Sequence, residues 1–315
     1  MPFRTLRTGG LLLLCVLIVM PATMANAATS SSTKTSSSKA SVSASKGRAS
    51  ATTRKRTTRR RARQAPIPKD GVYSRNAILI DPASGEVLYE KNSSRAVPIA
   101  SLTKLMTALV FVEQKPDMGR VAEVQATDLL GGGLTRLRKG EQVNLDDLLH
   151  MSLMCSDNVA TRIMARSTVL GPADFIARMD QKAVELGLTH TSFVESTGID
   201  ARNVSSASDI ARLLHAAAHD PVIQNICTTR SYTVTTGRRS HVFGNTNRLL
   251  YGDRYEILGG KTGFISQAGY CFATWVRTQG RDVIAVVLGA PTAATRFADA
   301  SRMIQKTHSV APAGL

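Results

Sequence analysis

The apolar positions of this chain follow three successive patterns. The first is short alternating runs. Ala77-Ile78-Leu79-Ile80-Asp81 and Glu86-Val87-Leu88-Tyr89-Glu90 flank Pro82-Ala83-Ser84-Gly85, which predicts a hairpin at the start of the fold. The second pattern is helical. Leu102, Leu105, Met106, Leu109 and Val110 recur at the spacing of one helix face, so a helix is expected from Ser101 onward. Pro98 favours an extended Val97 before it. After Pro116 come a glycine cluster, Gly131-Gly132-Gly133, and a pair of short extended segments around 134–137 and 141–143. Residues 144–154 read as a helix capped by Asn144 and ending in Cys155-Ser156-Asp157-Asn158. Helices over about 159–169, over 174–186 closed by Gly187, and from a cap at Ser208 extend this region to about residue 220.

The third pattern begins at Tyr232. Residues 232–236, 261–264, 270–278 and 282–288 read as strands, with Gln279-Gly280 as the turn between the last two. A loop carries Asn245-Thr246-Asn247, and residues 295–307 read as a closing helix. Strands at both ends and helices between them predict an α+β fold. One antiparallel sheet is built from both chain ends around an inserted, mainly helical region.

Charge changes the picture at the N-terminus only. The chain has 315 residues and a formal charge of +17, which would suit a nucleic-acid binder. The basicity is local. Residues 1–69 hold basic side chains from Arg4 to Lys69 and no acid, and the rest of the chain is close to neutral. No nucleic-acid partner is therefore expected. Arg4 and Arg7 precede an apolar run over 11–20, too short to span a bilayer, and Ala25-Asn26-Ala27 is an A-x-A cleavage site. Residues 1–27 read as a secretory signal, the alternative being an uncleaved anchor. Residues 28–70 are Ser, Thr, Ala, Lys and Arg and read as disordered, because they bury too little to offset their ordering entropy. That segment is either a solvated spacer or an electrostatic tether to an anionic surface. The folded domain is expected over 71–310, with 311–315 as a tail. Cys155, Cys227 and Cys271 remain after the signal, an odd number without C-x-x-C spacing, so no disulfide framework or zinc site is indicated.

Candidate chemistry starts at Ser101 and Lys104. Three residues apart, both project from one helix face. A serine needs a base to become a nucleophile, and a lysine kept neutral by its surroundings is such a base. The helix N-terminus adds a positive field where negative charge develops in acyl transfer. Ser-x-x-Lys alone is a weak signal. Ser156-Asp157-Asn158 and Lys261-Thr262-Gly263 follow it in an interhelical loop and a strand, and the three in this order are a strong one.

The trio resembles that of the serine penicillin-recognising enzymes, which also gives the fold its expected name, β-lactamase/transpeptidase-like. The resemblance covers about 76–307. It is closest to the low-molecular-mass D-alanyl-D-alanine peptidases, through Phe193-Val194-Glu195-Ser196-Thr197-Gly198-Ile199 and Asn245-Thr246-Asn247-Arg248-Leu249-Leu250. The ending Phe297-Ala298-Asp299-Ala300-Ser301-Arg302 resembles the small D,D-endopeptidase branch.

The resemblance implies that Ser101 carries the acyl group, Lys104 takes its proton, and Ser156 passes a proton to the leaving amine. It implies that Asn158 holds the substrate amide, and that Lys261 and Thr262 receive a substrate carboxylate. The backbone N–H groups of Ser101 and Phe264 would form the oxyanion hole. No cofactor or metal is implied. The implied substrate is peptidoglycan, cut as carboxypeptidase or endopeptidase outside the cytoplasm, in the periplasm or at the wall, and β-lactams would be covalent inhibitors.

Three other readings stand beside this one. A β-lactamase would deacylate quickly, often through a loop carboxylate, but Glu195-Ser196-Thr197-Gly198-Ile199 lacks E-x-x-x-N. An inactive exported wall-binding protein would act through its basic segment. His215 and His219 have the spacing of a metal pair, yet no H-E-x-x-H occurs, and both fit solvated positions near a helix C-terminus.

Overall fold

The computed structural model describes residues 68–306 except Arg238. The expected signal, the basic segment up to residue 67 and the 311–315 tail lie outside the described residues. Strands β1 (Asn76–Ile80) and β2 (Val87–Lys91) form the expected hairpin. Its turn is set by Asp81, whose carboxylate accepts the N–H groups of Ala83 and Ser84 at 2.9 and 3.2 Å. The extended entry before Pro98 is the two-residue strand β3 (Val97–Pro98). A 3-10 turn over Ala100–Leu102 then leads into α1 (Thr103–Glu113), so Ser101 precedes the α-helix proper. Residues Thr103 to Ala108, Val110 and Phe111 are all buried, which makes α1 the central helix.

The pair of segments expected around 134–137 and 141–143 does not form. Strand β4 (Val121–Glu123) pairs with β5 (Gln142–Asn144) instead, across the short α2 (Ala126–Leu129). Near 134–137 the Thr135 hydroxyl accepts the Leu137 N–H at 3.1 Å, a local bond that replaces a ladder bond. The helix expected over 144–154 divides. Helix α3 (Leu145–His150) is capped by Asn144, which accepts the Asp147 N–H at 2.6 Å. The chain then widens into a π-type turn over Met151–Cys155 and ends on Ser156 with φ of 64°. Helix α4 (Asn158–Arg166) starts from Asp157, and α5 (Gly171–Glu185) follows, with Gly187 just beyond it.

Strand β6 (Val204–Ser205) pairs with β3 and leads to α6 (Ala207–His219). The cap of α6 is Ser206 rather than Ser208; the Ser208 hydroxyl donates to the Ser93 carbonyl at 3.2 Å. Helix α7 (Pro221–Thr228) was not legible as a separate element. Asp220 caps it and Pro221 occupies its first turn. Strands β7 (Ser231–Thr235) and β8 (Ser240–Gly244) form a second hairpin where only the first strand was expected. Strands β9 (Glu256–Ile265), β10 (Gly269–Thr278) and β11 (Arg281–Ala290), and helix α8 (Ala293–Lys306), complete the fold.

The five-stranded sheet has the order β2-β1-β11-β10-β9, with every neighbour antiparallel. It joins both chain ends by pairing Ile78 with Val286. Alternate residues face opposite layers. Ile78, Ala273, Ile284 and Val286 pack toward the inserted helices, whereas Leu79, Phe272, Ala285 and Val287 pack with Phe297, Ala300 and Met303 of α8. Buried Asp299 accepts both the N–H and the hydroxyl of Ser74 at 2.7 Å, which ties α8 to the entrance of β1. Strand β9 is left at the sheet edge, alongside the turn that carries Ser101.

Candidate active site

Four elements meet beside the free edge of β9. The first is the turn before α1. Ala100 has φ of 50°, a conformation that costs a non-glycine residue energy and that packing must hold in place. Gly198 does part of that holding. Its φ is 84°, and a Cβ there would lie 1.9 Å from the Ala100 carbonyl oxygen. Gly263 approaches from the other side, where a Cβ would lie 3.0 Å from the Ser101 nitrogen. Ser101 is thus wedged between two glycines that bring backbone close to its own.

Lys104 is fully buried, with its Nζ 3.1 Å from Ser101 Oγ, 2.7 Å from Asn158 Oδ1 and 2.6 Å from the Thr197 carbonyl oxygen. Burial, and after it the like charge of Lys261, holds its pKa well below the ordinary lysine value. Glu195 and Asp157 oppose the shift without contacting the amine. A neutral amine has two N–H donors and one lone pair. Asn158 Oδ1 and the Thr197 carbonyl can only accept, so they take both protons. The lone pair is then left for the one partner with a proton to give, the Ser101 hydroxyl.

The second element is the turn between α3 and α4. Ser156 sits at its left-handed residue with its hydroxyl buried and, among the described residues, without a hydrogen-bond partner. Asp157 does not face the chemistry. Its side chain caps α4 by accepting the Ala160 N–H at 3.0 Å. Asn158 is already engaged on both ends, since Oδ1 accepts from Lys104 and Nδ2 donates to the Gly132 carbonyl at 3.0 Å. One amide proton remains for a substrate.

The third element is β9. Lys261 is buried, and its Nζ donates to the Thr262 carbonyl at 3.0 Å. Burial lowers its pKa to about 8, and Arg296 adds to the fall. The Thr262 hydroxyl donates to Thr246 Oγ1 at 2.8 Å, and Phe264 follows two residues later, half exposed. The three motifs, distant in sequence, are therefore brought to one place. The fourth element is the segment 195–203 behind Lys104.

Several contributors escaped sequence reasoning. Thr246 lay in a segment noted only for its likeness, yet its hydroxyl donates to the Met154 carbonyl at 3.0 Å and so aligns Thr262 with the turn before Ser156. Arg296 of α8 donates to the Gly263 carbonyl at 3.0 Å and pins β9 from outside. Glu195 accepts the Thr197 N–H and hydroxyl at 2.7 and 2.6 Å, and Asn203 Nδ2 at 2.9 Å. That network fixes the carbonyl that Lys104 uses. Hydrogen-bonding capacity of this kind is invisible in a single sequence because its partners lie far along the chain. His215 and His219 are outside the site. Their ring centroids lie 5.1 and 5.3 Å from that of Trp275, and among the described residues no group of three or more metal-ligating side chains forms.

Comparison with known proteins adds three findings. The D-alanyl-D-alanine carboxypeptidase family profile matches residues 60–292. The D-alanyl-D-alanine endopeptidase of Pseudomonas aeruginosa is 36% identical over 249 residues, covering 76% of this chain and 80% of that protein. Its counterpart from Escherichia coli is 34% identical over 236 residues, covering 74% and 76%. Among solved structures, penicillin-binding protein D2 from Listeria monocytogenes in its ampicillin-bound form superposes with a TM-score of 0.64 at 30% identity, over 74% of this chain and 96% of that one.

Proposed function

Because the chain belongs to the D-alanyl-D-alanine carboxypeptidase family, we infer that it is a serine D,D-peptidase of peptidoglycan and that Ser101 is its nucleophile. The observation that carries this reading is the buried Lys104 amine within hydrogen-bonding distance of Ser101 Oγ, with no carboxylate among the described residues in contact to keep it charged. Neutral Lys104 takes the Ser101 proton as Oγ attacks the D-alanyl carbonyl. Negative charge moves to the carbonyl oxygen, which the backbone N–H groups of Ser101 and Phe264 receive. When the C–N bond breaks, the leaving amine collects a proton through Ser156. The acyl group stays on Ser101 until water releases it.

Lys261 and Thr262 bind the carboxylate beside the scissile bond. In a pentapeptide stem that group is the free terminus of the last D-alanine. In a cross-link it belongs to the D-centre of the diamino acid. Both bonds fit the same anchor, and the two endopeptidase relatives favour the cross-link. Glu195 is the nearest analogue of a deacylating carboxylate, but its oxygens are occupied by Thr197 and Asn203. A penicilloyl adduct on Ser101 is therefore long-lived, which disfavours the β-lactamase alternative.

The catalytic domain is 71–310. Peptidoglycan lies outside the cytoplasmic membrane, so residues 1–27 serve as the export signal and the basic segment follows it as spacer or tether. Fluorescent penicillin tests the whole reading. Wild type forms a stable adduct and Ser101→Ala forms none; an adduct that persists in Ser101→Ala overturns it. Product masses from cross-linked and pentapeptide muropeptides then separate endopeptidase from carboxypeptidase.

A further inference from the structure

We propose that the groove beyond Phe264 is a subsite for the acyl side of the substrate, where Arg75 recognises a carboxylate on the stem. The proposal rests on the reading of Ser101, Lys261 and Thr262 given above. Two fixed points set the direction in which substrate lies. Its carboxylate is received at Lys261 and Thr262, and its scissile carbonyl at Phe264. Along β9 the substrate therefore runs from its C-terminal end toward its N-terminal end, and the acyl side leaves past Phe264 toward the turn into β10.

A groove of about 580 Å³ begins there, lined by Tyr73, Arg75, Phe264, Ser266 and Tyr270. Phe264 is 49% exposed, and its ring stacks on Tyr270 with centroids 4.2 Å apart, an apolar ledge beside the oxyanion position. Arg75 closes the far side from the segment leading into β1. Its Nη2 donates to the Ala268 and Gln267 carbonyls at 2.8 and 3.4 Å, which orients the guanidinium.

Like Arg162 and Arg296, Arg75 meets backbone carbonyls and, among the described residues, no carboxylate, but of the three it is the one that lines this groove. Two carbonyls hold the fork through Nη2, its Nε side lies against Gly289, and no carboxylate among the described residues balances it, so Nη1 remains for a ligand. The chemistry that fits is a carboxylate carried on an aliphatic stem, with the stem lying over the Phe264–Tyr270 ledge.

The test uses synthetic substrates that share a D-alanyl-D-alanine end. Their acyl side carries a carboxylate, a carboxamide or an ammonium, placed either on the residue next to the scissile D-alanine or one residue further out. In wild type, kcat/KM is expected to be about tenfold higher for the carboxylate than for the carboxamide, lowest for the ammonium, and less selective at high salt. The better carboxylate position identifies which stem residue Arg75 reads. Arg75→Gln equalises the three substrates and Arg75→Lys keeps part of the preference, while a Ser101 penicilloyl adduct on both variants shows that the site is still folded. If wild type forms the Ser101 adduct but shows no charge preference, or if Arg75→Gln retains the preference, the subsite is wrong and the peptidase reading stands. If no Ser101-dependent adduct forms, both fall.

Discussion

The two halves of the active site differ in how completely their polar groups are satisfied. On the α1 side, Lys104 has three hydrogen-bond partners, and the carbonyl it uses is itself held by the Glu195 network. On the side formed by the Ser156 turn and β9, among the described residues, buried Ser156 Oγ has no partner and the Lys261 amine donates to a single carbonyl. Buried polar groups are ordinarily paired, and those left unpaired require an explanation. Here the explanation is division of labour. On the proposed function, the nucleophile half is finished before substrate arrives, whereas the other half lacks acceptors that a substrate carboxylate and a leaving amine would bring with them. Preorganisation on one side and unmet bonding on the other place the binding gain where the substrate must enter.

The sharpest way to break this comparison is to remove the base. Lys104→Met is expected to lower the penicillin acylation rate by about 10³-fold or more while the fold, checked by circular dichroism, is retained. Acylation at the wild-type rate would mean that another group activates Ser101. Next in size is Asn158→Asp, which puts a carboxylate where Lys104 now gives a proton to a neutral oxygen. It favours the ammonium form, so acylation at neutral pH should fall about 100-fold and its acid limb should move upward. An unshifted limb would show that the limb does not report Lys104.

A pH profile examines the other half. In the proposed role Lys261 must be protonated to hold a carboxylate, and burial lowers its pKa to about 8. For the peptide substrate, kcat/KM should therefore fall as pH rises through about 8. Lys261→Arg should push that fall to higher pH, because a guanidinium stays charged. The smallest expected effect is that of Glu195→Gln, which loosens the Thr197 carbonyl and removes a charge that raises the Lys104 pKa. Acylation should slow by about fivefold to tenfold, with the acid limb moving downward. A loss as large as that of Lys104→Met would instead make Glu195 a direct participant.

In both halves the sequence displays the motif residues and hides the partners that hold them. Ser101, Lys104, Ser156 and Lys261 are legible because each stands in a short motif on an element with a clear pattern. The sheet of both chain ends was legible for the same reason, since its strands are β-rich runs beside turn residues. The partners that tune these groups were not. Thr246, Arg296, Glu195 and Asn203 act through hydrogen bonds between distant segments, and nothing local marks an acceptor as already used. Local competition explains the misplaced elements. Thr135 takes the Leu137 N–H that a strand would have used, and the Ser208 hydroxyl donates to the Ser93 carbonyl while Ser206, two residues earlier, caps the helix by accepting the Asp209 N–H. The interhelical turn at Ser156 was legible, whereas the π-type turn over Met151–Cys155 fell inside the helical pattern because periodicity does not register a local change of hydrogen-bond spacing.

The protonation state of Lys104 tests the account most directly. Nitrogen-15 NMR of lysine side chains, with the Lys104 signal assigned by its absence from Lys104→Met, follows that amine as pH is varied. The account predicts a neutral amine that gains its proton only well below the usual lysine pKa of 10.5. An ammonium signal that persists through neutral pH and titrates near 10.5 would contradict it.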